Sequence, residues 1–260
     1  IDAGGVAARL ATSVGREKRD DRPMGVAVRT YFQVPQESPR FTDTMMESHL
    51  ELWDGAPNAS DLLPGYGWIF ALGNGLSNVG LGSVSSTSKA TKLDYKGIFG
   101  RWMANVPEDN QVGELRSAAL PMAFNRQPLY ADGLMLVGDS GGMTSPYNGE
   151  GIAYAMQAGR IGADVIAQAL ARPTAASRER AMAAYPRTMK AELGGYYALG
   201  KQFVRIIEHP SIMRICTKYG LPRPLLMKFV HKLLSDSYDR TGGDALDRII
   251  TALTKVVPKA

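Results

Sequence analysis

One acidic residue inside a glycine-rich segment is the feature of this sequence most able to do chemistry. The segment runs from Leu134 to Ile152 and reads LMLVGDSGGMTSPYNGEGI. It combines an apolar stretch, Asp139 at the end of that stretch, and glycines that let the backbone approach a ligand closely. A carboxylate can accept hydrogen bonds from hydroxyls, and a helix that begins near Gly151 presents free backbone N–H groups. The pattern therefore favours a cofactor-binding turn.

The same segment contains Gly138-Asp-Ser-Gly-Gly142, which is the nucleophile sequence of trypsin-like proteases. A catalytic triad also needs a histidine base and a second acid. The histidine before it, His49, lies in a different setting, and the single cysteine, Cys216, excludes the disulfides of that class. Because a helix is expected after Ser140, the protease interpretation is rejected. A strand–turn–helix corner without any function stays open as an alternative.

The composition is that of a globular protein. Its 260 residues are 45% hydrophobic and 21% charged, which suffices for one large or two modest domains with a core. The lone Cys216 is expected to be a small buried residue. No metal site is expected, because the three histidines are scattered; they are His49, His209 and His231. No apolar run reaches the ~18 residues that span a bilayer, and no signal peptide is recognised, so a cytoplasmic location is expected.

The charge is unevenly distributed along the chain. Residues 175–260 carry 15 Lys and Arg against 7 Asp and Glu, whereas the whole chain has a net charge of +5. A basic C-terminal third predicts an acidic partner or an anionic surface. Nucleic acid is not expected, because the aromatic residues do not interleave with the basic ones. Residues 206–234 mix apolar and basic side chains, which is typical of peripheral contact with the inner face of the cell membrane or of a soluble helical cap.

Hydrophobic periodicity predicts a β-rich region followed by helices. Strands are expected at 25–34, 46–53, 67–72 and 79–84, with Gly73-Asn74-Gly75 as a hairpin turn between the last two. Residues 112–120 are expected to be extended and 134–137 to form a short strand. Helices are expected at 93–106, 152–171, 178–199, 201–209, 225–235 and 245–256. One face of the helix at 152–171 is expected to pack on a sheet; its residues are Ile152, Met156, Gly159, Ala163, Ile166 and Leu170.

This order of elements predicts an α/β (α+β) fold built in four parts. Residues 1–21 and 121–172 are expected to belong to a Rossmann-like FAD-binding domain, 22–120 to an antiparallel-sheet substrate domain, and 173–260 to a C-terminal helical region. The helix at 152–171 needs a parallel sheet to pack on, and the strands before residue 22 are too few to build one. The chain is therefore expected to be the C-terminal part of a longer protein.

Up to about residue 172 the sequence resembles the geranylgeranyl reductase family of FAD-dependent oxidoreductases, and the mycobacterial menaquinone reductase type in particular. The resemblance implies a p-hydroxybenzoate hydroxylase-like fold. Gly138 and Asp139 match the family's Gly-Asp motif, whose aspartate binds the ribityl hydroxyls of FAD. Gly149-Glu150-Gly151-Ile152 resembles the segment whose backbone N–H groups face the flavin pyrimidine. The resemblance implies that Pro146 and Gly149 set the turn between the two motifs.

Two positions separate the reductases from the aromatic hydroxylases of the same superfamily. Hydroxylases often carry a histidine where this sequence has Gly142, and they favour glutamine where it has Glu150.

A further match is Pro64-Gly-Tyr-Gly-Trp-Ile-Phe70, which resembles the signature that lines the family's prenyl cavity. Its residues Tyr66, Trp68 and Phe70 alternate and so share one face of a strand. The alternative is that these aromatic residues are ordinary sheet core.

The resemblance implies an FAD-dependent reductase that saturates isoprenoid C=C bonds, in the menaquinone side chain or in a geranylgeranyl or polyprenyl lipid. Reduced flavin would deliver the hydride, after reduction by NAD(P)H or another donor. The implied partners are the isoprenoid lipid or quinone and a missing N-terminal FAD-binding half, and no catalytic residue is identified. An aromatic monooxygenase of the same fold and a non-catalytic lipid- or partner-binding fragment stay open as alternatives.

Overall fold

The computed structural model describes residues 1–42, 45–87, 93–104, 106 and 110–257. Strands and helices within these ranges are numbered separately in chain order. The strands are β1 (Met24–Gln33), β2 (Met46–His49), β3 (Gly65–Ala71), β4 (Leu76–Ser85), β5 (Arg116–Pro121), β6 (Tyr130–Ala131) and β7 (Leu134–Met135). The helices are α1 (Arg9–Ser13), α2 (Tyr95–Met103), α3 (Ile152–Leu170), α4 (Ala175–Met182), α5 (Ala184–Ile207), α6 (Pro210–Ile215), α7 (Pro224–Leu234) and α8 (Ala245–Val256).

An antiparallel sheet of five strands, in the order β2-β3-β4-β1-β5, forms the first half of the described structure. The predicted hairpin is confirmed, since β3 and β4 pair with Trp68 opposite Gly80. The predicted strand at 46–53 is too long, because β2 ends at His49 and Trp53 forms only an isolated bridge with Leu62. The prediction of a mixed α/β fold with an antiparallel sheet is confirmed.

The two faces of this sheet have different environments. One face is apolar and packs against α2, forming a core that includes Val28, Ile69, Leu81 and Ile98. Helix α2 begins after Asp94, whose carboxylate accepts the Gly97 N–H at 3.0 Å. The predicted helix at 93–106 lies partly outside the described residues. The other face carries the half-buried aromatic row of β3.

The second core lies between the glycine-rich segment and the C-terminal helices. It buries residues from the segments around 122–143 together with α3 and α5. Tyr185, Tyr196 and Tyr197 of α5 are among its largest fully buried side chains. The Tyr185 hydroxyl donates to the Leu136 carbonyl at 2.8 Å, and the Tyr197 hydroxyl donates to the Met143 carbonyl at 2.7 Å. Helix α5 therefore supports the segment that holds Asp139.

The predicted packing face of α3 is exposed in the described structure. Ile152, Met156 and Leu170 are 77%, 72% and 69% exposed, whereas the opposite face is buried against α5. Gly162 gives room to β7, since a Cβ there would come within 2.9 Å of the Met135 sulfur, and the same Cβ would lie 3.7 Å from Cε2 of Tyr185 on α5. The face was predicted from its apolar spacing alone, and the described residues contain no sheet that covers it.

The predicted helix break near residue 200 is wrong. Helix α5 runs unbroken from Ala184 to Ile207 through Gly200. A Cβ on Gly200 would lie 2.3 Å from Cγ of Pro146 and 2.9 Å from Cε2 of Tyr147. Glycine at this position therefore gives room to the glycine-rich segment and does not end the helix.

Candidate functional site

Four of the seven predicted cofactor residues line one cleft of about 500 Å³, whereas Pro146, Glu150 and Ile152 are not among its lining residues. Gly138 and Asp139 line one side of it, and Gly149 and Gly151 line another, although nine residues lie between the two pairs in sequence. Leu120 at the end of β5 closes a further side. A second cleft of about 640 Å³, lined by residues such as Thr12, Glu17 and Lys18, holds none of the predicted residues.

Asp139 is the acid of this cleft. Its Oδ1 accepts the Thr144 hydroxyl at 3.1 Å. In the described part of the chain no donor reaches its second oxygen, Oδ2. A Cβ on Gly151 would come within 3.3 Å of the Asp139 carboxylate, so the acid faces the first turn of α3. Asp139 is thus half-buried and retains an oxygen that can accept a ligand hydroxyl.

The loop from Pro146 to Ile152 is ordered by its own hydrogen bonds. Gly149 turns the chain with a φ of +73°, and its N–H donates to the Ser145 carbonyl at 3.1 Å. The Glu150 N–H donates to Oδ1 of Asn148 at 2.9 Å, and the Glu150 carboxylate accepts the Ala153 N–H at 2.7 Å. Glu150 therefore caps α3 with its side chain.

The amides of Gly151 and Ile152 stand at the start of α3. Helix geometry gives such N–H groups no intrahelical partner. The Ile152 side chain is exposed, so this residue can contribute to the cleft only through its backbone. An electron-rich ligand edge at this end of α3 would meet two N–H groups and the positive end of the helix dipole.

The loop is backed by aromatic side chains that the sequence did not single out. Pro146 and Tyr147 are buried, and the Tyr147 ring lies 4.7 Å from Tyr196 and 5.3 Å from Phe203. In the sequence, this contact is indicated by Tyr196 and Tyr197 followed by the small residue Gly200 one helical turn later. Helix α5 thus determines where the cleft loop lies.

We expect Gly200→Ala to displace this loop. Alanine favours the helix by about 1 kcal/mol, but its Cβ overlaps Pro146 and Tyr147, and overpacking costs about 1–3 kcal/mol. The expected result is lower stability in urea unfolding together with weaker ligand binding in the cleft. Gly159→Ala in α3 is the control, because a Cβ there has open space within 4 Å. Equal stabilisation by both substitutions would contradict the packing account.

Asp2 is a buried acid near the start of the chain. It accepts the N–H groups of Gly4 and Ala11 at 2.8 Å and the Ser140 hydroxyl at 2.9 Å. Burial acts to raise the pKa of Asp2, but these hydrogen bonds outweigh burial and the pKa is lowered. Ser140 is fully buried and donates to Asp2, so it is no nucleophile. Asp2 therefore fixes the turn that presents Asp139.

Asp2→Asn is expected to destabilise the protein by about 2–4 kcal/mol at pH 7. The asparagine NH₂ group would replace one carboxylate oxygen and face a backbone N–H donor, so a buried hydrogen bond is lost. The folded pKa lies below the unfolded value of about 3.9, so the stabilisation is present above that pH and is lost as the pH falls through the folded pKa. Urea unfolding at pH 7 and at pH 3 should show the difference shrinking in acid. A difference that does not change with pH would contradict this role.

The aromatic row begins at the cleft loop. The Tyr66 hydroxyl donates to the Asn148 carbonyl at 2.6 Å, and burial, with Glu150 nearby, raises the pKa of Tyr66 to about 12. The Trp68 ring lies 5.8 Å from Tyr66 and 6.0 Å from Phe70. A Cβ on Gly80 would fall 2.3 Å from the Trp68 ring, so Trp68 lies flat on β4. The row lies outside both buried cores, which disfavours the sheet-core alternative.

The remaining residues considered from the sequence lie away from the cleft. Cys216 is exposed, so the prediction that it is buried is wrong; it lies in a π-helical turn on the outer side of the C-terminal helices. His49 makes an edge contact with Trp102 at 5.4 Å. No helix in the described part of the chain is both long and apolar enough to cross a bilayer.

The fold is that of flavin-dependent enzymes. A geranylgeranyl bacteriochlorophyll reductase-like protein from Thermoplasma acidophilum superposes with a TM-score of 0.56 at 19% identity, covering 88% of this chain and 60% of its own. A triple mutant of the flavin-dependent brominase Bmp2 gives a TM-score of 0.58 at 17% identity, covering 98% of this chain and 61% of its own.

Sequence comparison narrows the relationship. Menaquinone reductase of Mycolicibacterium smegmatis is 26% identical over 253 residues, which is 96% of this chain and 58% of that protein. Menaquinone reductase of Mycobacterium tuberculosis is 34% identical over 173 residues, 64% of this chain and 40% of that protein. Digeranylgeranylglycerophospholipid reductase 1 of Methanococcoides burtonii is 32% identical over 135 residues, 52% of this chain and 32% of that protein. No protein-family model matches the chain.

The predicted resemblance is therefore confirmed: the chain is a relative of the menaquinone and digeranylgeranylglycerophospholipid reductases. It spans about half the length of the curated menaquinone reductases it matches.

Proposed function

We propose that the cleft is one half of an FAD site. Asp139 would accept hydrogen bonds from the ribityl hydroxyls, and the N–H groups of Gly151 and Ile152 would face the pyrimidine edge. The observation that carries this is the meeting of Asp139 with the start of α3 at one cleft. A side chain on Gly151 would crowd the Asp139 carboxylate, so the residues present suit a flat ring that lies close to the backbone.

The other half of the site would come from an N-terminal FAD-binding domain that carries the adenine and pyrophosphate cradle. Two observations support this. The chain covers 58% and 40% of the two menaquinone reductases. Ile152, Met156 and Leu170 are exposed on one face of α3, as expected for an apolar helix face that packs against another element. We expect that face to become buried when the nucleotide-binding half is present.

The reaction would be the saturation of an isoprenoid C=C bond. When bound and reduced, FAD supplies the hydride, and NAD(P)H or another donor supplies the electrons. An isolated alkene is a poor hydride acceptor, so this chain must hold the bond in place and exclude water. Tyr66, Trp68 and Phe70 would form one wall of the channel that holds the isoprenoid chain. The proton donor is not assigned to a residue of this chain.

The substrate would be the side chain of a menaquinone or a geranylgeranyl or polyprenyl lipid. The names of the relatives support these two classes. Such substrates reside in a bilayer, so the protein would act in the cytoplasm with peripheral contact at the inner face of the cell membrane.

Product analysis tests this function. The chain is co-expressed with an N-terminal FAD-binding half and incubated without oxygen, with NAD(P)H and a polyprenyl quinone. We expect a product that has gained one molecule of hydrogen in its side chain. Oxygen-dependent hydroxylation of a phenol in the same assay would support the monooxygenase alternative. A colourless protein that binds lipid and turns over neither substrate would support the non-catalytic alternative.

A further inference from the structure

We propose that an exposed apolar tip, formed by Ile215, Tyr219 and the segment Leu221–Leu226, docks the protein on an anionic lipid bilayer. This inference deepens the peripheral membrane contact in the proposed function by assigning it to a surface. The inference rests on the proposed function for the reason why the protein would dock, since that function gives it a lipid substrate. Docking itself is measured without turnover.

Unusual exposure identifies the tip. All six residues from Leu221 to Leu226 are exposed, and Leu225 is 70% exposed. On the turn before them, Ile215 is 59% and Tyr219 is 52% exposed. Other apolar side chains of the same stretch, such as Met213 and Leu233, are buried. The stretch has therefore packed one set of its apolar side chains inward and leaves a second set in solvent, as expected for an interaction site.

The tip has a defined local structure. The Arg223 N–H donates to the Gly220 carbonyl at 3.0 Å, and the Arg223 guanidinium donates to the Tyr219 carbonyl at 2.8 Å. Leu226 lies against Gly220, where an added Cβ would contact it at 3.5 Å. Proline at 224 begins α7. These contacts hold Tyr219, Arg223 and Leu226 together as one surface.

The charge around the tip favours a bilayer over an acidic or mixed-charge protein surface. Residues 209–235 contain five Lys and Arg and no Asp or Glu. Lys228 and Lys232 pair with Asp244, the residue before α8, and Arg214 donates to the Ser60 carbonyl at 2.7 Å, whereas in the described residues no carboxylate pairs with Lys218 or Arg223. Apolar side chains flanked by Lys218 and Arg223 suit an anionic membrane, because the apolar groups can enter the acyl boundary while the cations meet the phosphate headgroups.

The position of this surface fits its purpose. The tip connects α6 to α7, and α6 follows α5 directly in the chain. Helix α5 contacts the cleft loop at Gly200 and the preceding part of the glycine-rich segment at Met143, through Tyr197. Docking through the tip would therefore bring helix α5, which supports the cleft, towards the bilayer that contains the isoprenoid lipid.

Vesicle flotation tests the proposal on the purified chain. We expect binding to vesicles of phosphatidylcholine with phosphatidylglycerol, weak binding to phosphatidylcholine alone, and a decrease with added salt. The double variant Leu221→Ser/Leu225→Ser should lose binding by about tenfold or more. Leu72→Ser is the control, because Leu72 is an exposed leucine at the β3–β4 turn.

A second pair of variants separates the charge contribution. Lys218→Gln/Arg223→Gln should weaken binding to anionic vesicles by about tenfold and reduce its salt dependence, whereas Arg187→Gln/Lys190→Gln on α5 removes equal charge elsewhere and should not. Circular dichroism checks that each variant is folded. Absence of binding to anionic vesicles, or equal binding by tip and control variants, would overturn the proposal. Failure of the reductase assay with normal vesicle binding would instead reject the function and leave the docking surface standing.

Discussion

Replacing Asp139 with alanine is expected to weaken flavin binding by about 10- to 100-fold, because hydrogen bonds to a charged acceptor are worth about 1.5–3 kcal/mol and each 1.4 kcal/mol is tenfold. The measurement is a flavin titration of the chain co-expressed with an N-terminal FAD-binding half. Thr144 holds only one oxygen of this carboxylate, so the other remains for the cofactor. Asp139→Asn should lose less affinity, since an amide oxygen still accepts.

Asp164→Ala is the matched control for this experiment. Asp164 is an exposed acid on α3, outside the residues that line the cleft. It should change flavin affinity by less than about twofold, as is usual for a surface substitution. Equal effects of the two alanine substitutions would show that net charge, and not the cleft, governs flavin binding.

Gly142→Ala is expected to destabilise the protein by about 2–5 kcal/mol, the sum of left-handed backbone strain and overpacking. Gly142 has a φ of +67°, and an added Cβ would lie 2.4 Å from the backbone nitrogen of Asn125. Neither backbone can move freely, because the Phe124 N–H donates to the Gly142 carbonyl at 2.8 Å. Urea unfolding measures the change.

Gly100→Ala in α2 provides the comparison for Gly142. Gly100 is exposed in a helix and a Cβ there meets nothing within 4 Å, so alanine should stabilise by about 1 kcal/mol. If Gly142→Ala proved as harmless as Gly100→Ala, the close approach to Asn125 would be incorrect. The same approach gives a physical reason why a hydroxylase-type histidine cannot occupy position 142 in this chain.

The sequence predicted the local features of the fold and site well. Gly73-Asn74-Gly75 predicted the β3–β4 hairpin because the turn is determined by adjacent residues. The residues around Asp139 and Gly151 were recognised as one motif, and the structure brings them to one cleft. Alternation of Tyr66, Trp68 and Phe70 gave the correct shared face, because a strand fixes side-chain direction over two residues.

Features that depend on distant contacts were not predictable in the same way. A glycine such as Gly200 indicates a helix break unless the contact with Pro146, which is remote in sequence, is known. The role of Asp2 depends on Ser140, 138 residues away. The apolar spacing of α3 indicated that a face is buried, but spacing does not say which chain or domain buries it. The sequence indicated residues 206–234 as a candidate for membrane contact, but only the exposure of the side chains located the tip within that range.

Hydrogen–deuterium exchange resolved by peptide tests the central claim most directly, namely that this cleft is half of a flavin site. The chain with an N-terminal FAD-binding half is compared with and without FAD. The account predicts slower exchange on FAD binding at the amides of Gly149–Ile152 and Gly138–Gly141, with no change in the β3–β4 turn. Protection that omits both cleft segments, while flavin is bound elsewhere, would contradict it.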